Sequence, residues 1–335
     1  MKRPNILYAI QGTGNGHVAR AREIIPILRK YGELDVVLSG DQSQVDIGYP
    51  IKYRVSGLTF IYSGSGGLSY SKTFIKNKIW RLVKEIFQFP IHKYDIVIND
   101  FECTIAWAAK LRSKKIFGMG HQVSFLSNKT PRPKRKDPIG EIVLKNYAPC
   151  TWPIGFHFEA FDSFIFTPVI RSEIRELKVE TLPHYTLYLP AFKDEEIIRI
   201  VKQIPNSEWQ LFSKNIRESK QIENVLIRPV GNTDFIESLR SCTGLLTSAG
   251  FESPAEALYL GKKLFVIPIK NQYEQECNAQ ALNRLGVSFS EVFDETILAS
   301  LREWVEQGFE FAIPFPDETE SIIREQILCP AGFLV

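Results

Sequence analysis

His17 closes the run Gly12-Thr13-Gly14-Asn15-Gly16-His17, directly after the apolar stretch Asn5 to Ile10. An imidazole, with an ordinary pKa of about 6.5, suits removal of a proton from a hydroxyl near neutral pH. Glycines in alternation let the backbone come close to a ligand. The bland alternative is a tight strand-to-helix turn in which His17 only caps. The run is not the dinucleotide fingerprint Gly-x-Gly-x-x-Gly, because position 17 is His, and Leu38-Ser39-Gly40 puts no acid at the end of the next strand. A partner for His17 is available in Asn99-Asp100-Phe101-Glu102, at the carboxyl end of an apolar run. There Asp100 either orients an imidazole and stabilises its cation or caps the following helix. Glu102 reads as a first-turn acid complementing the helix dipole.

A second group of residues lies between Ser248 and Ala279. Gly250 and Ser253 fall in a turn entering a helix, where backbone N–H groups suit an anion such as a phosphate. Glu256 follows Ser253 by three residues and projects from the same side of the helix. A phosphate site beside a carboxylate that can accept from a ribose diol suggests a nucleotide; a solvated helix residue is the plain alternative. Gln275 and Asn278 are either binding groups or surface and capping residues. His121 and Gln122, after Gly120, either line an acceptor side or are structural. His157 reads as buried and hydrogen-bonded. The aromatic cluster Trp152, Phe156, Phe158, Phe161, Phe164 and Phe166 reads as core.

The elements that must position these groups alternate along the chain. Asn5 to Ile10 is a strand, Val18 to Tyr31 a helix and Asp35 to Leu38 a strand, which predicts a right-handed βαβ unit. Short strands at Lys52 to Val55 and Thr59 to Tyr62 precede a helix from Phe74 to Phe89 with Trp80 and Phe87 as aromatic anchors. Strands at Asp95 to Ile98 and Lys115 to Met119 follow. The basic, proline-broken stretch Asn128 to Pro138 reads as a mobile loop. Thr167 to Pro183 reads as a linker, after which Tyr185 to Leu189 begins a second series of strands and helices. Repeated alternation in both halves predicts two doubly wound parallel sheets with the ligand cleft between them. The expected division is residues 1–167, a linker over 168–183, a second domain over 184–316, and a final helical segment over 317–335 that crosses back to the first domain.

Composition sets bounds. The chain has 335 residues, enough for two ordinary domains. A formal net charge of +3 is too small to argue for nucleic acid. Five scattered cysteines without a Cys-x-x-Cys pair argue against a disulfide framework or a zinc site. No apolar run approaches the ~18 residues of a spanning helix, and no leader pattern follows Met1, so a soluble cytoplasmic protein is expected. The basic stretch Lys129 to Lys136 offers a contact to a phosphorylated acceptor or to the inner face of a membrane; a solvated loop is the other reading.

The Ser248 to Ala279 stretch resembles the nucleotide-sugar motif of GT-B glycosyltransferases, in the UDP-glycosyltransferase and MurG-like branch. That motif reads His-Cys-Gly-Trp-Asn-Ser-x-x-Glu, then a Gly-x-Pro strand, then Asp-Gln-x-x-Asn-Ala. Gly250, Ser253 and Glu256 fall on its Gly, Ser and Glu, and Gly261, Pro268, Gln275, Asn278 and Ala279 match at similar spacing. The Gly-rich loop before His17 is similar to the Gly-Gly-Thr-Gly-Gly-His loop of the MurG branch. The resemblance implies two Rossmann-like α/β domains facing across a cleft and transfer of a sugar from a UDP-sugar to a hydroxyl acceptor. It implies inversion at the anomeric carbon, with His17 as base and Asp100 as its partner. On the donor side it implies roles for Gly14, Asn15, Val230, Ser248, Gly250, Ser253, Glu256, Glu274 and Gln275. Gly250 and Ser253 would hold the diphosphate, Glu256 the ribose, Glu274 and Gln275 the sugar hydroxyls, and the backbone around Val230 the base. The chain departs from the motif at Ser248, Glu252 and Glu274, where His, Asn and Asp are usual. No Asp-x-Asp metal motif is present, so neither metal nor cofactor is expected. A nucleotide-sugar epimerase of the same fold and a non-catalytic nucleotide-sugar-binding protein are the alternatives.

Overall fold

Asn5–Gln11 (β1) is apolar and buried along almost its whole length, as a strand covered on both faces by helices must be. It sits near the middle of a parallel sheet with Glu33–Ser39 (β2), Tyr53–Val55 (β3), Ile96–Asp100 (β4), Phe117–Gly120 (β5), Trp152–Phe156 (β6) and Ile165–Phe166 (β7). The order across this sheet is β3-β2-β1-β4-β5-β6-β7. The computed structural model describes residues 3–12, 15–40, 46–57, 79–308 and 312–334. Gly14, the expected strand Thr59 to Tyr62 and the first turn of the helix expected from Phe74 lie outside the described residues.

A second sheet begins at His184–Tyr188 (β8) and adds Glu208–Ser213 (β9), Lys220–Ile222 (β10), Val225–Pro229 (β11), Gly244–Ser248 (β12), Lys263–Ile267 (β13) and Ser288–Phe289 (β14). Its order is β10-β11-β9-β8-β12-β13-β14. The β10–β11 pair is antiparallel and the other pairs are parallel. In both sheets the strand order reverses once, between β1 and β4 and between β8 and β12. Ligand sites in open α/β sheets gather at such points, outside the carboxyl ends of the strands. Ile10 pairs with Asp100 across the first reversal and Thr247 with Tyr188 across the second. Strand order therefore brings the residues after β1 beside the end of β4.

Side chains from the two halves interlock. Phe251, just after β12, is buried; it stacks on His121 at 3.9 Å between ring centroids and tilts against Phe158 at 5.1 Å. Tyr273 covers Gly140, where an added Cβ would lie 2.6 Å from the ring, and its hydroxyl donates to Glu141 at 2.8 Å. Helix Thr319–Ile323 lies against helix Asn15–Tyr31, with Lys30 and Tyr31 both donating to Glu320 at 2.6 Å. The stretch between the sheets is itself packed, since Ile170 and Ile174 are buried.

Two sequence expectations need correction. Trp80 and Phe87 do not anchor helix Ile79–Gln88; they are 68% and 63% exposed, and the helix buries its Ile86 side instead. The stretch Asn128 to Pro138 is tied down at several points. Thr130 donates to the Ser124 carbonyl at 2.6 Å, and Arg132 donates to the Phe125 carbonyl at 2.8 Å and to Glu141 at 2.5 Å. Lys134, Arg135 and Lys136 remain exposed.

Replacing Phe251 empties a buried aromatic site shared by both halves. Phe251→Ala is expected to lower the unfolding free energy by about 3–5 kcal/mol, measured from the urea midpoint at constant m. A loss below about 1 kcal/mol would show that the two halves do not depend on this contact.

Candidate active site at the facing ends of the two sheets

β1 ends at Gln11, and helix Asn15–Tyr31 begins within the glycine run and takes in Gly16. His17 and Arg20 are three residues apart, so they share a face of its first turns. Both face Asp100, the last residue of β4. His17 Nδ1 is 2.8 Å from Asp100 Oδ1. Arg20 donates to the same carboxylate with Nε at 2.9 Å and Nη2 at 2.8 Å. Asp100 is fully buried. Burial would raise its pKa, but the Arg20 charge and then His17 outweigh it, and the value falls to about 2. An ionised Asp100 accepts, so the Nδ1 proton of a neutral His17 points to it and Nε2 carries the free lone pair.

Asp100 does not cap the helix that follows. Glu102 does so, accepting from Thr104 N at 2.9 Å and Ile105 N at 2.6 Å, while Asn99 ties back to the Glu102 backbone. Burial pushes the Glu102 carboxyl up to about 7 against the lowering effect of those amides. Between the two acids, Phe101 adopts φ 54°, a left-handed conformation that is costly for a phenylalanine. That kink aims Asp100 and Glu102 in different directions.

On the facing sheet, β12 ends at Ser248 and helix Glu252–Tyr259 begins with no side-chain cap. A cavity of about 820 Å³ opens there. Asn15, Val230, Ser248, Gly250, Ser253 and Glu256 all line it, so most of the expected donor-side residues do converge. Arg22, Arg171 and Lys214 bring cationic groups to the same wall. The Val230 N–H is engaged by the Ser213 carbonyl at 3.0 Å, so its amide is not offered to a base. Glu256 is buried and gripped by Arg171, with Nε to Oε1 at 2.5 Å and Nη2 to Oε2 at 2.9 Å. Its pKa is raised by burial, against the pull of Arg171.

Glu274 and Gln275 are placed elsewhere. The Gln122 side-chain amide donates to both Glu274 oxygens at 3.1 Å. The Gln275 carbonyl oxygen accepts from Ile269 N at 3.0 Å and closes the loop after β13. Asn278 donates to the Ala249 carbonyl at 3.1 Å and meets His121 Nε2 at 2.9 Å. His121 is buried, its Nδ1 bonded to the Phe156 carbonyl, and burial pushes its pKa down to about 3. His157 is buried too, its Nδ1 accepting from Phe158 N at 2.9 Å. His17 does not line the 820 Å³ cavity, although Asn15, Gly16 and Ala19 beside it do. Its side chain is 12% exposed and sits between the facing ends of the two sheets.

A family model described as Glycosyl transferase family 1 matches residues 4–306. The chain belongs to this glycosyltransferase family. No curated protein matches it. Among solved structures it is similar to the S. aureus MnaA-UDP complex, at 11% identity and TM-score 0.61, covering 99% of this chain and 98% of that one. It is also similar to spinosyn forosaminyltransferase SpnP, at 14% identity and TM-score 0.58, covering 96% and 94%. Arabidopsis thaliana UGT89C1 complexed with UDP gives 14% identity and TM-score 0.58, covering 98% and 95%. At such identities the likeness is one of fold, and the fold is GT-B.

Within this glycosyltransferase, sequence inspection overlooked Arg20 and Arg171. Arg20 had a signal, its spacing of three from His17 on a helix. Arg171 had none, because it lies 85 residues from Glu256.

The Asp100 pair sets an acid limit on stability. Its folded pKa of about 2 is below the ordinary 3.8, so the stabilisation is full above pH 4 and is lost as pH falls through 2. At about 1.36 kcal/mol per unit the difference is on the order of 2 kcal/mol. Urea midpoints measured from pH 5 to pH 2 should fall in the wild type, and the part due to this group should be absent in Asp100→Asn.

Proposed function

We propose that the chain moves a sugar from a nucleotide-sugar donor to a hydroxyl acceptor with inversion, using His17 as base and Asp100 as its partner. The observation that carries this is the His17–Asp100 pair at the end of one sheet, next to a cavity at the end of the other that is lined by Ser253 and Glu256 of the helix Glu252–Tyr259. The donor occupies that cavity. Its diphosphate lies at Gly250 to Ser253, assisted by Ser248, and its ribose at Glu256. Asn15 borders it, and the base lies along the Val230 loop. Glu274 and Gln275, held by Gln122 and the Ile269 N–H outside the cavity lining, remain the candidates for the sugar hydroxyls. Two of the similar structures are complexes with UDP, which supports a uridine diphosphate donor. Charge developing on the leaving diphosphate is met by the helix N-terminus and the cationic wall. Residues 1–167 form the acceptor-side domain, 184–316 the donor domain, and the final segment returns to the first domain.

Acceptor deprotonation follows from the hydrogen bonds of His17. With Nδ1–H held by Asp100, Nε2 takes the hydroxyl proton, the oxygen attacks the anomeric carbon and the nucleoside diphosphate leaves. An epimerase would need uncommitted carboxylates around the sugar. Glu252 is instead paired with Arg20 at 2.5 Å and Glu274 is held by Gln122, which favours transfer. The exposed Lys134, Arg135 and Lys136 remain candidates for an anionic acceptor or a membrane surface.

The decisive experiment is incubation with a panel of UDP-sugars, with and without hydroxyl acceptors, followed by nucleotide release and by NMR of the anomeric centre. Release that requires acceptor and gives the inverted anomer is expected; an epimerised sugar formed without acceptor would overturn the proposal. His17→Ala should lose turnover, by at least about 10²-fold, while calorimetry finds donor affinity unchanged. Glu256→Gln should weaken donor binding by about 1.5–3 kcal/mol; equal affinity would remove Glu256 from the ribose site.

A further inference from the structure

Arg20 is 2% exposed and serves two carboxylates from opposite sheets. Its Nε and Nη2 hold Asp100, and its Nη1 reaches Glu252 Oε1 at 2.5 Å. Glu252 is the first residue of the helix at the cavity and itself lines the cavity. A guanidinium can do this because its donors fan out in one rigid plane, which an ammonium lacks. The approach also depends on Gly16, where an added Cβ would lie 2.3 Å from Glu252 Oε2. Nη2 of Arg20 is 3.1 Å from His17 Nδ1, so imidazole, Asp100 carboxylate and Glu252 carboxylate all touch one guanidinium.

We propose that Arg20 is a positioning residue that couples the two sheets: Glu252, acting through Arg20, holds Asp100 and thereby the His17 ring in its working orientation. This rests on the assignment of His17 as base. Glu252 has a second consequence. A bare carboxylate beside Gly250 and Ser253 would repel a diphosphate, and the Arg20 charge offsets it. The base is thus set by a residue of the donor-side helix, and neutralising Glu252 weakens its charge-assisted bond to Arg20 and loosens the ring without removing any group from the donor grip. Glu252 occupies the place where the family motif has Asn, so this wiring belongs to the chain's own residues.

The test uses Glu252→Gln in the full chain, because this side chain is 26% exposed and the change keeps its size. Gly16→Ala displaces the same carboxylate by crowding, and Arg20→Lys keeps the charge without the fork. Two readouts are taken. One is the low-field proton signal of the His17 Nδ1–H held by Asp100, assigned by its absence in His17→Ala. The other is the split between kcat and donor KM. In all three variants the Nδ1–H signal is expected to broaden or vanish. In Glu252→Gln, kcat should fall about tenfold, as for a displaced reacting group, with donor KM unchanged or lower. An unchanged signal with wild-type kcat in Glu252→Gln overturns the coupling. So does a rise in donor KM with the signal intact, which would make Glu252 a direct donor contact. If the wild type turns over no nucleotide sugar, the proposed function fails, and the proton signal in wild type and Glu252→Gln still decides whether Glu252 positions His17.

Discussion

A carboxylate buried without exposed surface must be paired or neutralised, and Asp100 is paired with Arg20. That constraint shapes the first half of the cleft. Arg20 can reach Asp100 only from a helix that starts just after β1, so the turn between them has to be short. His17 lies one turn earlier on the same helix and meets the same carboxylate. Arg20 is buried as well, so its Nη1 needs an acceptor, and Glu252 from the helix after β12 supplies one. The pairing of one acid therefore bears on where the second sheet's helix can sit.

Apolar packing reinforces the same placement. Phe251 precedes Glu252 by one residue and stacks on His121, which is bonded to the backbone of β6. On the far side, Tyr273 packs over Gly140 and bonds to Glu141, which also receives Arg132. Charged contacts in such a seam are strong because little water competes with them, and for the same reason a broken one leaves a group unpaired. The Arg171–Glu256 pair follows this rule beside the cavity. It orients a buried carboxylate on the cavity wall.

Much of this was legible in the residues. Apolar runs separated by polar helices gave alternating strands and helices; a glycine run closed by His17 marked one side of the cleft, and a glycine turn followed by Glu256 the other. The misreadings have physical causes. Trp80 and Phe87 are large and apolar, yet helix burial follows the face that meets the neighbouring helix Cys103–Leu111, and the buried residue on it is Ile86. Prolines and lysines at 128–138 resemble a loose loop, but Thr130 and Arg132 find backbone carbonyls that no local pattern announces. Asp100 was the candidate for the helix cap and Glu102 was read as a first-turn acid, yet Glu102 is the cap. The positive φ at Phe101 separated their roles.

The sequence by itself determined the α/β class, the doubling of the sheet and the two motif-bearing turns, because periodicity and turn chemistry act over a few residues. Only the tertiary structure decided which side chains meet. Arg20 and Glu252 are 232 positions apart and Arg171 and Glu256 are 85 apart. Their contacts depend on strand order, on the reversal of each sheet and on how the two sheets face each other. Those are properties of the whole packed chain, set by the joint burial of apolar surface and the need to pair every buried charge.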